Sequence, residues 1–411
     1  MVFTYNFFVR LYAFVAAVLS PFNQKAKKWI YGRVNWGKNI PEKTLQKRLW
    51  LHCASLGEFE QARPIVEKLV AVNKCELVVS FFSPSGYEVR KDYALANAVF
   101  YLPVDTKENA KTFVLKLQPD AIVFVKYDLW FHFINEAKRQ SIPMYLISAV
   151  FRNNQIFFKS WGGIFRGMLN NLDGIFVQDE ESVSVLKTIN IDAKVAGDVR
   201  YDRALEVLNE SFEDKFIEEF VAQKFTVIFG STYNIEHHWI KHLAEELRLM
   251  NIDFRIILAP HQIDADNMVD VKEHFPNAYY YSSSHLKPIN NLKSKILVLD
   301  TMGMLTYVYR FANLAYVGGG FETSLHNALE AAVYGIPVVV GPNHLKFPEV
   351  DKLISLGGFV QVNSKIEFIN LFKDSFINQN TENKKGDINA AFLKQNAGAS
   401  KLVLQALEKH F

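Results

Sequence analysis

Cysteine is nearly absent from this chain, which holds two, Cys53 and Cys75, in 411 residues. That excludes a disulfide framework, and no Cys/His spacing suits a zinc site, so a reducing compartment fits best. Equally missing are a G-x-G-x-x-G dinucleotide fingerprint and a Walker A loop. No basic stripe with interleaved aromatics recurs after the first sixty residues, which argues against nucleic acid as a partner. Charged residues make up only 22% against 49% apolar, the balance of a globular chain, and the length suits two domains of ordinary size.

The net charge is only +3, but it is unevenly spread. Residues 1–60 carry nine Lys and Arg against Glu42, Glu58 and Glu60, leaving −3 on the remaining 351 residues. A basic N-terminal end on a near-neutral body implies an anionic surface nearby, such as a phospholipid leaflet or a phosphorylated lipid. The opening run "VFTYNFFVRLYAFVAAVLSPF" is long enough to span a bilayer. Arg10 near its middle costs about 3 kcal/mol on insertion scales, so spanning is not favoured. Asn6, Arg10, Ala13 and Ala17 share one narrow helical face, with Phe, Tyr, Leu and Val around the rest. The expectation is a helix lying in the interface or shallowly anchored, with Lys25, Lys27 and Lys28 gripping the cytoplasmic leaflet. The alternative is an N-terminal helix packed on its own domain.

Short β-rich runs alternate with helical patterns along the whole length. They are "LWLHCAS", "ELVVSFF", "AVFYLP", "AIVFVKYD", "MYLISAV" and "GIFVQD" in the first half, then "FTVIFGS", "FRIILAP", "KILVLD", "LAYVGGG", "IPVVVGP" and "GGFVQV". Continuous apolar strands, each followed by a helix, indicate parallel sheets covered on both faces. The pattern predicts two doubly wound α/β domains. The expected division is an apolar helix at 1–24, a first Rossmann-like domain at 25–203, a charged linker at 204–224, a second Rossmann-like domain at 225–388, and a last helix at 389–411 packing back toward the first domain.

In such sheets ligands sit beyond the carboxyl ends of the strands. Four junctions in the second half share one design: Gly230-Ser231-Thr232, Thr301-Met302-Gly303, Gly318-Gly319-Gly320 and Gly341-Pro342-Asn343. Small residues let backbone approach a ligand, and helix N-termini attract an anion. Together they point to a phosphate-binding cleft, although each alone is also the ordinary composition of a βα turn or helix cap. Beyond the triple glycine, "FETSLHNALEAAVYG" is expected to form a helix with His326 and Asn327 in its first turn and Glu330 in its middle. That spacing puts all three on one side, where a carboxylate can accept from a ribose diol. Asp264-Ala265-Asp266 has the form of a metal-holding pair, but its polar helical setting favours an exposed face. Lys126 and Asp128 stand just beyond a first-half strand, and Arg200 and Asp202 near the presumed cleft, where the Lys or Arg could hold a sugar carboxylate or a lipid phosphate or simply form surface ion pairs.

Taken in order, these stretches resemble the Kdo transferase family, enzymes that attach 3-deoxy-D-manno-octulosonic acid (Kdo) to the lipid A precursor. "HCASLGE" is similar to the family's His-x-x-Ser-x-Gly-Glu segment, and "SPSGYEV", "YLPVD", "KYDLW", "GDVRYD", "DTMGML", "LAYVGGG" and "HNALEAA" follow in family order. The resemblance implies a GT-B fold, two Rossmann-like domains with donor nucleotide on the second and acceptor on the first. It also implies CMP-Kdo as donor, a lipid A precursor as acceptor, inversion at the anomeric carbon, and no cofactor or metal. The implied place is the cytoplasmic face of the inner membrane. Glu58 would be the general base, with Ser55 and Gly57 on the acceptor side. Ser231, Thr232, Met302, Gly303, Gly319, Gly320, Asn327 and Glu330 would bind the donor, and Arg200 and Lys126 would contact an anionic substrate group. Inversion in one displacement needs a base for the acceptor hydroxyl and no second carboxylate nucleophile. The rival expectations are another GT-B transferase, a nucleotide-sugar epimerase, or a two-domain binding protein without catalysis.

The chain departs from the family pattern at three places. Lys126 and Asp128 replace two glutamates, Ala259-Pro260-His261 lacks the usual Arg, and Ser324-Leu325 stands for paired glycines. "SLGE" is also a capping box, in which Ser55 caps a helix and Glu58 reaches back to the Ser55 N–H. A helix N-terminus lowers a carboxylate's proton affinity, which predicts Glu58 to be a weak resting base. The segment therefore admits a cap, a base, or both.

Overall fold

Fourteen strands among the described residues of the computed structural model form two seven-stranded sheets in which every pairing is parallel. The structure describes all residues except 39, 74, 285–293 and 380–382. The first sheet contains β1 (Arg48–Cys53), β2 (Glu76–Phe81), β3 (Ala98–Tyr101), β4 (Ala121–Val125), β5 (Met144–Ala149), β6 (Gly174–Val177) and β7 (Lys194–Val195). The second contains β8 (Thr226–Thr232), β9 (Arg255–Pro260), β10 (Tyr279–Tyr280), β11 (Ile296–Val298), β12 (Leu314–Val317), β13 (Val338–Val340) and β14 (Phe359–Gln361). Their orders are β3-β2-β1-β4-β5-β6-β7 and β10-β11-β9-β8-β12-β13-β14. The two short edge strands β7 and β10 have no counterpart in the apolar runs of the sequence, because two residues carry no periodicity.

The chain divides into two compact units, Met1–Asp202 with Ala397–Phe411, and Arg203–Asn396. In the first, alternation sends successive side chains to opposite faces. Trp50, Val78, Ile122 and Phe124 enter one core and Leu49, Leu51, Val79 and Val123 the other. Both faces are covered, which is why the strands read as unbroken apolar runs. In the second unit Val227, Phe229, Ile256, Leu258 and Val339 belong to the core beneath the helix Asn234–Leu249.

The stretch 204–224, expected as a linker, lies largely in the helices Val199–Asn209 and Lys215–Val221. Phe216, Ile217 and Phe220 are buried there, so the charged residues that make it read as a linker are only its outer side. The closing segment is two helices, Asn383–Asn396 and Ala399–Leu407, separated at Gly398, whose φ of +118° ends the run. Asp202 accepts hydrogen bonds from the backbone N–H of Gly398 (2.8 Å) and Ser400 (3.0 Å) and so caps the last helix.

At the N-terminus lie α1 (Val2–Leu19), α2 (Gln24–Tyr31) and, after β1, α3 (Leu56–Asn73). Among the described residues α1 is the one helix long and apolar enough to cross a membrane. It rests on the first unit by a half-buried face of Tyr5, Asn6, Val9, Ala13 and Ala16, while Arg10 and most of its aromatic residues are exposed. The Tyr5 hydroxyl donates to Asp105 at 2.6 Å, and Asn6 Oδ1 meets His132 Nε2 at 2.6 Å.

One buried ion pair fastens the start of the first sheet. Arg48 Nε donates to Glu76 at 2.6 Å across β1 and β2, and its other nitrogens donate to the carbonyls of Leu117, Pro41 and Glu42. Neither side chain reaches solvent. Replacing Arg48 with Met strands the Glu76 carboxylate, which costs about 3–5 kcal/mol. Urea unfolding of R48M is expected to show that loss with an unchanged m-value; a loss under 1 kcal/mol would mean the pair is not what holds this corner.

Candidate active site

In the first sheet the strand order reverses between β1 and β4, and the groups with chemistry stand at those two exits. β1 ends at Cys53 and the chain turns through Ala54 and Ser55 into α3, which carries Glu58 in its first turn. The Glu58 carboxylate accepts from the Ala54 N–H. The capping box is thus shifted by one residue from the expected Ser55 N–H, and no described group hydrogen-bonds the Ser55 hydroxyl. Gly57 is exposed at the same turn.

Behind this turn lies a buried chain of polar groups. The Trp50 indole donates to Ser80 Oγ (2.7 Å), which sits 2.8 Å from His52 Nδ1, and His52 Nε2 lies 2.8 Å from Asp128. The Asp128 carboxylate can only accept, so His52 donates to it from Nε2, and in the neutral imidazole Nδ1 then accepts the Ser80 proton. His52 is completely buried and holds Asp128 at the exit of β4. Lys126 begins that exit with φ of +58°, its N–H bonded to Ile147 at 2.9 Å. The Tyr127 hydroxyl is bonded to the Val150 backbone, which turns that ring toward the body of the unit.

Burial pushes the Glu58 carboxyl above the ordinary glutamate range. The Ala54 N–H opposes this, the Asp128 charge adds to it, and Lys126 and His52 oppose it. This corrects the expectation of a lowered proton affinity, because desolvation outweighs the helix terminus. Such a carboxylate is suited to take a proton from a hydroxyl.

The second sheet reverses its order between β8 and β12. Ser231 follows Gly230 with φ of +53°, at a register shift against β9. A Cβ at Gly318 would come within 2.4 Å of the Ser231 carbonyl, and one at Gly320 within 2.6 Å of Gly341. These glycines are therefore required by the neighbouring backbone, a cause that the sequence does not separate from ligand contact. Gly319 is left-handed with φ of +90°. Its N–H donates to Glu236 at 3.1 Å, so it is already satisfied. Glu236, almost fully buried, also accepts from the Tyr233 N–H (2.7 Å) and the Tyr316 hydroxyl (2.7 Å), and burial raises its proton affinity.

Thr232 is buried, with its hydroxyl 3.0 Å from His237 Nε2. Met302 and Gly303 lie exposed on the turn after β11, and Thr301 contacts the Met304 sulfur instead of capping the following helix. The expected long helix after the glycines is only Leu329–Ala332, with His326 and Asn327 ahead of it. Glu330 accepts from Asn327 (3.0 Å) and Thr306, so both carboxylate oxygens already hold a donor. His326 turns elsewhere, 3.0 Å from the Tyr233 hydroxyl and stacked on His261 at 4.2 Å, and burial followed by the His261 charge pushes its pKa down to about 4.

Arg200 is engaged by Asp198, at 2.8 Å through Nε and 2.6 Å through a terminal nitrogen. The structure thus brings Glu58 and Lys126 together at the first switch point, and Ser231, Thr232, Gly319 and Gly320 at the second, while Arg200 has an internal counter-ion. His52, Ser80 and Glu236 are the residues that sequence reasoning missed. Asp264 caps the helix Ala265–His274, the exposed face expected of it. Among the described residues no group of three His, Cys, Asp or Glu is placed to hold a metal.

A family model described as 3-deoxy-D-manno-octulosonic-acid transferase (kdotransferase) matches residues 30–203. The chain is 26% identical over 330 residues to a 3-deoxy-D-manno-octulosonic acid transferase of Rickettsia prowazekii, covering 78% of this chain and 69% of that one. Identity to the Haemophilus influenzae 3-deoxy-D-manno-octulosonic acid transferase is 25% over 381 residues, covering 88% and 87%. Among solved structures it is similar to UDP-GlcNAc 2-epimerase from Neisseria meningitidis bound to UDP-GlcNAc, with a TM-score of 0.60 and 16% identity over 88% of this chain and 100% of that one. At that identity the likeness speaks for the fold, the GT-B class with its two Rossmann-like units. The family match spans the unit that carries Glu58, and the relatives extend the likeness through the second: the chain is similar to the Kdo transferase family of glycosyltransferases.

Proposed function

We propose that this protein moves Kdo from CMP-Kdo to the lipid A precursor, with inversion and without a metal, at the cytoplasmic face of the inner membrane. The observation that carries the catalytic part is Glu58, a carboxylate of raised proton affinity at the first switch point. Glu58 takes the proton of an acceptor hydroxyl as that oxygen bonds to the anomeric carbon of Kdo. The bond from that carbon to the CMP phosphate breaks in the same displacement, its electron pair leaves with CMP, and the configuration inverts.

Asp128 is a positioning and tuning group, held by His52 and raising the proton affinity of Glu58, while Lys126 supplies a cation beside them. On the donor side the strand exits at Ser231, Thr232, Gly303 and Gly320 offer close backbone approach to a monophosphate. A leaving group with one phosphate needs only fixed dipoles and donors to stabilise its charge. Asn327 and Glu330 form a preset pair that a ribose would share. The exposed aromatic side of α1 and the exposed Lys25 and Lys27 support a leaflet-facing placement.

Two measurements test Glu58. Glu58→Gln keeps an acceptor for the Ala54 N–H and loses the base, so Kdo transfer, followed by mass spectrometry of the lipid product, should fall by about 10²–10⁴-fold. Its thermal midpoint should stay level or rise, since a buried charge is removed. Near-normal turnover in E58Q would end the assignment.

The second is the pH profile. Glu58 must be ionised to accept a proton, so kcat/KM should fall as pH drops through its raised pKa, with the acid limb above the value of about 4.3 for an unperturbed glutamate. Lys126→Met removes an opposing cation and should move that limb up; Asp128→Asn removes a like charge and should move it down. A limb that stays put in both variants would mean another group is titrating.

A further inference from the structure

We propose that the first unit holds one acyl chain of the lipid acceptor in the cavity between α1 and the unit's body, an inference that rests on the transfer reading above. The cavity measures about 620 Å³, within the size range of small-molecule sites. Its walls include Phe8, Val9, Tyr12, Trp29, Trp130 and Ile164, and Asp105 is its one charged lining residue. That carboxylate is fully engaged by the Tyr5 hydroxyl and the N–H groups of His132 and Phe133. The space therefore suits an apolar occupant.

Two residues of the wall carry unpartnered donors behind it. The indole N–H groups of Trp29 and Trp130 are buried and have no hydrogen-bond partner among the described residues, and the Trp29 side chain as a whole is 5% exposed. A buried donor without an acceptor is uncommon in a folded protein. Neither indole nitrogen is exposed, so the two rings meet an occupant of the cavity with apolar surface.

Two further features select the acceptor over a bystander lipid. Phe82 and Trp130 stack at 5.0 Å in the cavity wall. The Phe82 N–H is bonded to the Cys53 carbonyl, and the next residue, Ser83, to Ala54, whose own N–H holds Glu58. Trp130 lies two residues beyond Asp128. The wall is thus continuous with the loop that positions Glu58, so a chain seated there carries its sugar hydroxyls toward that carboxylate. On the other side, the exposed Phe3, Phe7 and Phe14 of α1 face outward, the surface expected to meet hydrocarbon.

The test uses the full chain in detergent and an acceptor whose acyl chains carry bromine, which quenches nearby indoles. Saturable quenching is expected, reduced by half or more in a Trp29→Phe/Trp130→Phe double variant. Ile164→Trp, which fills the cavity, should raise KM for the acylated acceptor at least tenfold while changing transfer to a deacylated disaccharide acceptor less than twofold. Equal effects on both acceptors, no saturable quenching, or the same quenching by a brominated bilayer phospholipid would overturn the proposal. Saturable quenching weakened by I164W without any Kdo transfer would leave the cavity assignment standing and remove the transfer reading instead.

Discussion

The reversal of strand order at β1/β4 and at β8/β12 is the constraint on which the rest of this protein depends. In a parallel sheet the connections that leave two adjacent strands in opposite directions cannot cover the backbone between them. Groups distant in sequence are thereby set side by side, as Glu58 is with Lys126 and Asp128. In the second unit the same rule joins Ser231 and Thr232 to the three glycines after β12. Each unit supplies one uncovered edge, and neither edge depends on a long catalytic motif.

At the first edge, the helix-entry hydrogen bond and the raised proton affinity of Glu58 belong to one arrangement. A carboxylate at a helix N-terminus gains at most about 1 kcal/mol from the dipole at an exposed site. Glu58 is mostly shielded, and the desolvation of its charge is the larger effect. The Ala54 hydrogen bond fixes the side chain without making it inert. Asp128 then raises the proton affinity further and Lys126 restrains it. The replacement of two family glutamates by Lys126 and Asp128 follows the same logic, for one negative charge beside Glu58 is traded for a positive one.

The sheets were legible in the sequence because strands buried on both faces leave unbroken apolar runs. The two-residue edge strands were not, since no pattern fits in two residues. Glu58 was singled out through its motif, and Ser231, Thr232 and Gly319 through their places at strand ends. His52 stood within the quoted motif, but its partner Asp128 lies in another strand exit, and only the fold pairs them. Glu236 was hidden for a different reason: on a helix a lone glutamate reads as surface, and its three donors come from the Tyr233 backbone, Tyr316 and Gly319. Asp202 was placed near the cleft, yet it caps the final helix, a contact between residues 196 positions apart. The helix around Glu330 was overextended because apolar spacing marks burial whether or not the backbone is helical.

The N-terminal helix brings the same physics to the question of where an apolar helix with polar contacts of its own should lie. A helix that spans a bilayer must give up any polar contact outside the hydrocarbon, and among the described residues α1 makes such contacts through two side chains, Tyr5 to Asp105 and the Phe131 N–H, and Asn6 to His132. Releasing them would remove the phenol from a buried carboxylate, whose desolvation then weighs more heavily. It would also carry Arg10 into the membrane. Lying along the unit keeps both contacts, leaves Arg10 in reach of water or phosphate, and still presents Phe3, Phe7 and Phe14 outward. On the transfer reading the balance favours the interfacial placement, in which the helix that would meet the leaflet is also one wall of the cavity.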